Sequence, residues 1–309
     1  MNIQQLEYIV AVNRYRHFVQ ASEHCHVTQP TLSMMIRKLE EELGVKIFDR
    51  TKQPIIPTEI GLKVIDQAHT ILRETAKLAE LTKQYNGILS GELRVGVIPT
   101  VAPYLLPQFI QPFITHYPDI QLQISDMITE KILLELKRGT LDAGIVATSS
   151  DEHSFKGTPL YQEKLLVYVS DQGSLYDKKF ILPDEIDPNE LWLLEEGHCF
   201  RSQIQKLCEL SRASTGHSLN YRAGSIETLI RMVDRSGGLT IIPELALHDF
   251  SPKRLKNVRE FMAPAPVREI SIIYNREQVK TRMIEVLENE ILAHIPEGMK
   301  RSSTDVLVL

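Results

Sequence analysis

Apolar residues at Leu6, Ile9, Val10 and Val12 recur at helical spacing and predict a first helix over residues 3–18. A shorter helix is expected to begin at His17 and to end near His24-Cys25-His26. A third should follow: Thr28 can cap its N-terminus, Pro30 is tolerated in its first turn, and Gly44 can end it. Leu32, Ile36, Leu39 and Leu43 form its apolar stripe, which leaves Gln29, Thr31, Ser33, Met34, Arg37 and Lys38 on the outer face. Residues 48–57 read as a short basic hairpin, a wing, in which Arg50 could touch backbone phosphates. Two helices, a turn and a wing are helix-turn-helix anatomy, whose second helix enters a major groove. Each polar residue alone is better explained as part of a solvated helix face; their combination with the turn and the wing favours DNA.

Thr58 should cap a long helix over residues 59–85. Val64, Ile71 and Leu78 repeat every seven residues along it, the pattern of a coiled-coil dimer seam. Packing against its own domain is the alternative, which the length disfavours. Asn86-Gly87 and Ser90-Gly91 then mark a hinge. From residue 92 the pattern alternates: strands at 93–98, 120–124, 141–146, 165–169, 191–194 and 239–243, with helices at 104–116 and 130–138 between the early ones. This predicts an α/β regulatory domain of two lobes. Ligands of such sheets bind in the crevice beyond the strand C-termini. Thr100 follows one strand end and His198-Cys199 another, so both should face one cleft.

Two of the three cysteines fall in the stretch Gly197-His198-Cys199-Phe200-Arg201-Ser202-Gln203-Ile204-Gln205-Lys206-Leu207-Cys208. Phe200, Ile204, Leu207 and Cys208 share a helical face, so a helix should start near Cys199. Unpaired N–H groups there, with His198 and Arg201 alongside, would stabilise a Cys199 thiolate, the species that peroxides oxidise. Cys208 on the apolar face should stay a protonated thiol. Nine steps of helix rise about 13 Å and place the pair on opposite faces. A disulfide needs Cα atoms within about 7 Å, so this pair can join only if the helix breaks. Two unrelated buried cysteines are the other reading.

The 309 residues are 43% hydrophobic and 24% charged, an ordinary globular composition. No run of about 18 apolar residues is present, so no membrane span is expected, and the first residues lack the blocks of a signal peptide. A cytoplasmic protein is expected, where disulfides are usually transient. Net charge is −5; residues 1–57 hold seven Lys/Arg against six Asp/Glu, about +1, and the rest about −6. Charge alone does not point to nucleic acid. His24-Cys25-His26 invites a metal reading, but adjacent residues rarely converge on one tetrahedral ion; no metal or cofactor is expected. No catalytic triad, P-loop or dinucleotide fingerprint occurs, so an enzyme is not expected.

The stretches 25–33 and 37–45 resemble the helix-turn-helix of the LysR-type transcriptional regulators, and the resemblance extends over essentially the whole chain. Ile98-Pro99-Thr100-Val101-Ala102-Pro103-Tyr104 and Gly197-His198-Cys199 with Cys208 resemble the peroxide-sensing members of that family. The resemblance implies a winged helix-turn-helix domain at residues 1–58, a dimerisation helix at 59–89, a two-lobed, periplasmic-binding-protein-like regulatory domain at 90–300 and a tail at 301–309. It implies a tetrameric activator of oxidative-stress genes. Cys199 would be the peroxidatic cysteine, resolved by Cys208, with Thr100, Thr129, His198 and Arg268 lining the peroxide pocket. Implied partners are promoter DNA, hydrogen peroxide, RNA polymerase and a glutaredoxin- or thioredoxin-type reductant. Two alternatives remain: a regulator controlled by a small metabolite between the lobes, and a thiol peroxidase carrying an N-terminal interaction module.

Overall fold

The structure, a computed structural model, describes residues 1–85, 89–147, 155–195, 199–208, 223–300 and 306–308, with backbone only for 79–85 and Cys199. The chain forms two compact units, Met1–Ile88 with Lys137–Thr140, and Leu89–Leu136 with Leu141–Leu309.

The first unit contains α1 (Ile3–Tyr15), α2 (Phe18–His24), α3 (Gln29–Leu43), the two-residue strands β1 (Phe48–Asp49) and β2 (Ile56–Pro57), and α4 (Glu59–Tyr85). A capping box opens α1: Asn2 Oδ1 accepts from Gln5 N and Gln5 Oε1 accepts from Asn2 N, each at 2.9 Å. The helix stops short of its expected end because Arg16 turns to φ 53°, which redirects the chain into α2. Thr28 caps α3 as expected, its hydroxyl accepting from Thr31 N, and Gly44 ends it at φ 69°. Leu32, Ile36 and Leu39 are fully buried. Leu43, expected in the same stripe, is exposed, and Glu40 points inward in its place. The turn out of α3 leaves two N–H groups to be satisfied; the Glu40 carboxylate accepts from Ile47 N at 2.7 Å and Phe48 N at 3.2 Å. β1 and β2 pair antiparallel as the wing. Thr58 caps α4 by accepting from Gly61 N at 2.9 Å. Gly61 is required there, since a Cβ would lie 2.0 Å from the Ile47 carbonyl oxygen.

From residue 89 the chain runs β3 (Gly91–Val97), α5 (Ala102–His116), β4 (Ile120–Asp126), α6 (Thr129–Arg138, its last two residues counted with the first unit), β5 (Ala143–Val146), β6 (Phe155–Val169), β7 (Phe180–Ile181) and α7 (Cys199–Leu207). It continues with α8 (Ile226–Ser236), β8 (Leu239–Pro243), α9 (Pro252–Leu255), β9 (Val258–Phe261), β10 (Ala265–Asn275), α10 (Thr281–His294) and β11 (Val306–Val308). The described strands follow the order β4-β3-β5-β10-β6-β9-β7, with β8 also on β6 and β11 on β10. β6 makes the two lobes. Its first part, Phe155–Lys164, pairs with β10; its last part, Leu165–Val169, pairs with β8. A bulge near Pro159 bends it, where the register shifts between Ile270 and Ser271.

The expected strand at 191–194 does not form; Leu191 and Leu194 make isolated bridges to Leu239 and Ala223. Trp192 N donates to Leu239 O and Thr240 Oγ1 donates to Trp192 O, so side-chain as well as backbone bonds hold this segment. Val306–Val308, in the expected tail, pairs parallel with Ala265–Val267. The hinge residues Asn86 and Gly87 lie outside the described residues.

Candidate functional site

Arg268 sits on β10 directly opposite Glu163 on β6, just before β6 passes from one sheet to the other. Both side chains are completely enclosed, at 0% and 1% exposure. Arg268 Nε donates to Glu163 Oε1 at 2.8 Å. Its Nη1 donates to Thr100 Oγ1 and its Nη2 to the Thr100 carbonyl, both at 3.0 Å. Glu163 Oε2 accepts from Leu245 N at 3.3 Å. Burial pushes the Glu163 carboxyl up, and the Arg268 charge pulls it back. The guanidinium carbon lies over the Phe200 ring, 4.7 Å from its centroid.

Phe200 belongs to the first turn of α7, next to Cys199. Helix α7 starts at Cys199 as expected and buries Phe200, Gln203 and Ile204. Gln203 Nε2 donates to Ala147 O at 3.3 Å, tying α7 to the end of β5. Arg201 Nη1 donates to Leu194 O at 2.5 Å. Cys208 follows the last helical residue and packs half-buried against the core, its N–H bonded to Ile204 O. Burial pushes its thiol up to about 11. Further bonds join the lobes: Tyr104 on α5 donates from its hydroxyl to Glu227 Oε1 on α8 at 3.2 Å, and burial raises that phenol.

The structure therefore brings together Thr100, Arg268 and the helix carrying Cys199. Thr129 is buried at the first residue of α6, after the end of β4. His198 and the Cys199 side chain lie outside the described residues. Sequence reasoning missed Glu163 and Phe200 as partners of Arg268. No local signal marked the pair: Glu163 stands between Gln162 and Lys164, and Arg268 beside Glu269, so neither is an isolated charge in an apolar run.

In the first unit, Gln29, Pro30, Thr31, Met34, Arg37 and Lys38 are exposed along one side of α3. Ser33 and Arg50 are half-buried and bonded to each other, Arg50 Nη1 to Ser33 Oγ at 3.2 Å. Arg50 also pairs with Glu40 at 3.2 Å and lies 5.1 Å from the Phe18 ring centroid. It fastens the wing to α3. The Cys25 thiol is half-buried and raised by burial, then by the charge of Glu7. On α4, Ile65 and Ala68 are buried in the unit's core, while Val64 and Ile71 only partly pack on it. Leu78 is 68% exposed and Ile60 44%; with Val64 and Ile71 they share one helical face. Among the described residues no helix is long and apolar enough to cross a membrane.

Two family descriptions match. Residues 3–62 fit the "Bacterial regulatory helix-turn-helix protein, lysR family", and residues 86–296 fit the "LysR substrate binding domain". The chain is 37% identical over 275 residues to the "Hydrogen peroxide-inducible genes activator" of Haemophilus influenzae, covering 89% of this chain and 90% of that protein. It is 36% identical over 277 residues to the "DNA-binding transcriptional dual regulator OxyR" of Escherichia coli K12, covering 89% of each. The solved full-length OxyR of Pseudomonas aeruginosa, a point variant, superposes with a TM-score of 0.78 at 33% identity, over 96% of this chain and 99% of that one. The chain belongs to the LysR family of bacterial helix-turn-helix regulators.

Proposed function

We propose that this chain is a peroxide-sensing transcriptional activator of the OxyR type, switched by a reversible Cys199–Cys208 disulfide. The observation that carries the reading is α7. It begins at Cys199, ends at Leu207 just before Cys208, and rests its first turn on a buried arginine. The likeness to named peroxide-inducible gene activators supports it. The Cys199 thiolate attacks one peroxide oxygen, the O–O bond breaks, and the departing hydroxide takes a proton to become water. The resulting sulfenic acid is attacked by the Cys208 sulfur; the S–O bond breaks, a second water leaves and the S–S bond forms. Two electrons pass from the dithiol to peroxide, and a glutaredoxin- or thioredoxin-type dithiol returns them. Thr100, Thr129, His198 and Arg268 would line the peroxide pocket, with Arg201 beside the thiolate.

DNA is read by the exposed face of α3, with Gln29, Thr31, Met34, Arg37 and Lys38 toward the duplex and Pro30 shaping the first turn. Ser33 and Arg50 set the geometry of helix and wing. Val64, Ile71 and Leu78, joined by Ile60, form the dimer seam, and dimers pair to a tetramer that engages promoter DNA and RNA polymerase in the cytoplasm. The protein is a sensor and turns over no substrate.

The test is mass-spectrometric mapping of the cysteines before and after stoichiometric peroxide, run beside a DNA footprint. A Cys199–Cys208 linkage with a shifted footprint is expected. Absence of the linkage refutes the proposal. A footprint that moves only with a small metabolite favours a regulator with an inter-lobe ligand, and sustained peroxide turnover with a thiol donor favours a peroxidase. Hydrogen exchange adds the conformational step: amides of residues 201–207 should lose protection on oxidation of the wild type and keep it in Cys208→Ser.

A further inference from the structure

Arg268 is one of the contacts that hold α7, beside the Gln203–Ala147 and Arg201–Leu194 bonds. The edge of its guanidinium is committed to Glu163 and Thr100. The central carbon of the guanidinium lies over the Phe200 ring, 4.7 Å from the ring centroid, with Phe200 1% exposed. That ring comes from the first turn of the helix that must break before Cys199 and Cys208 can meet, because a continuous helix holds the two about 13 Å apart along its axis. Unwinding the first turn therefore withdraws Phe200 from Arg268.

We infer that Phe200 is a positioning residue that sets the redox balance of the switch: its stack on Arg268 favours the helical dithiol over the disulfide. The inference rests on the cysteine-pair reading above. A guanidinium is attracted to the negative face of an aromatic ring, most strongly where water is excluded. Arg268 is buried on every side, so the stack operates at the strong end of that range. A leucine at 200 keeps an apolar cover over the pocket and removes the ring's field. The disulfide form, which lacks the stack, is unaffected, and the equilibrium moves toward it.

The experiment is a redox titration of the full chain in glutathione buffers. Protein dithiol and glutathione disulfide exchange two electrons and two protons to give protein disulfide and two glutathione thiols. The oxidised fraction is read by mass spectrometry after acid quenching and alkylation. Phe200→Leu should move the equilibrium constant about two- to thirtyfold toward the disulfide, and Phe200→Tyr should stay within about twofold of wild type, as expected for a cation–π contact. Equal shifts for both variants overturn the inference. A second comparison separates the ring's field from packing. In a Glu163→Met, Arg268→Met background, which replaces the buried pair as a unit, Phe200→Leu should add no shift; a full-sized shift there also overturns it. A wild type that titrates normally while Phe200→Leu matches it sinks this inference alone. A wild type that forms no Cys199–Cys208 bond in any buffer sinks the proposed function itself.

Discussion

The surroundings of α3 and of Arg268 are built on opposite plans. Around α3 the determinants lie close together in sequence: Thr28 bonds Thr31, Gly44 ends the helix, and Ser33 meets Arg50 seventeen positions on. Arg268 takes its partners from far away, Thr100 at a separation of 168 and Glu163 at 105. The two plans also weigh differently. A helix cap is worth about 1 kcal/mol, and caps can be lost one at a time. A buried charge that loses its partner costs about 3–5 kcal/mol, because nothing else neutralises it. In this chain the determinants easiest to read from sequence carry little energy each, and the one hardest to read carries the most.

The largest expected effect breaks the distant pair. Arg268→Ala leaves Glu163 enclosed and alone and should lower the stability of the second unit by about 3–5 kcal/mol. The single tryptophan, Trp192, lies in that unit and bonds Gly237 O, so its fluorescence in a urea titration reports this unfolding. A change below about 1 kcal/mol means that the pair is hydrated in solution. Glu163→Ala should behave alike, since it strands the guanidinium.

Next in size is the shielding of Cys208. Its thiol is pushed up by burial to about 11, so at neutral pH roughly one molecule in ten thousand carries the thiolate. In Cys199→Ser, alkylation of Cys208 by iodoacetamide should be slow at pH 7 and rise about tenfold per pH unit. The sign for stability follows: a folded pKa above the unfolded one, about 8.5, favours the fold below pH 8.5. That contribution is lost as pH climbs through about 11. Rapid alkylation at pH 7 in the reduced protein means that α7 opens readily without oxidation.

The same contrast explains what the sequence disclosed. α3, its caps, the wing and the start of α7 were legible because apolar spacing and capping residues are local signals. Leu43 misled because a stripe drawn from hydrophobicity alone cannot know that the next turn needs an acceptor, which Glu40 supplies. β6 was read only in its last third. Lys156, Gly157 and Pro159 hide the first part, and the bulge near Pro159 is what lets it be a strand. Thr100 was placed at the cleft by its position after a strand end, while Arg268 was legible only through family resemblance. Glu163 and Phe200 were not, because their roles arise from cross-strand register and from a ring meeting a guanidinium.

A smaller effect is expected on the DNA-reading face. Arg37 is exposed on α3 and belongs to none of the bonds that fasten the wing. Arg37→Ala should cost about 1–3 kcal/mol in operator binding and relax specificity at one base pair, with the urea midpoint unchanged. Arg50→Ala should do the reverse in part. It removes the tie between wing, Ser33 and Glu40 and leaves a buried carboxylate with weaker neutralisation, so stability of the first unit should fall along with affinity. Operator affinity untouched in Arg37→Ala places the reading face elsewhere on α3.

The smallest effect tests the local plan itself. Thr28 Oγ1 accepts from Thr31 N at 3.4 Å and meets Thr31 Oγ1 at 2.8 Å. Thr28→Ala removes the cap and should lower stability of the first unit by about 1 kcal/mol. It also releases the Thr31 hydroxyl, which lies on the outward face of α3. Two consequences separate cleanly. Lost capping acts on every operator alike, through the folded fraction, whereas a released Thr31 hydroxyl changes the ranking of operators that differ beneath the first turn. Thr28→Ser keeps the capping oxygen and should restore both. Binding to a panel of single-base operator variants, with unfolding measured on the same samples, reads the two effects apart. If Thr28→Ala leaves stability within about 0.3 kcal/mol of wild type, less than an ordinary N-cap contributes, then α3 is held by its buried stripe of Leu32, Ile36 and Leu39 alone. The first unit would then depend, like the second, on contacts between distant parts of the chain.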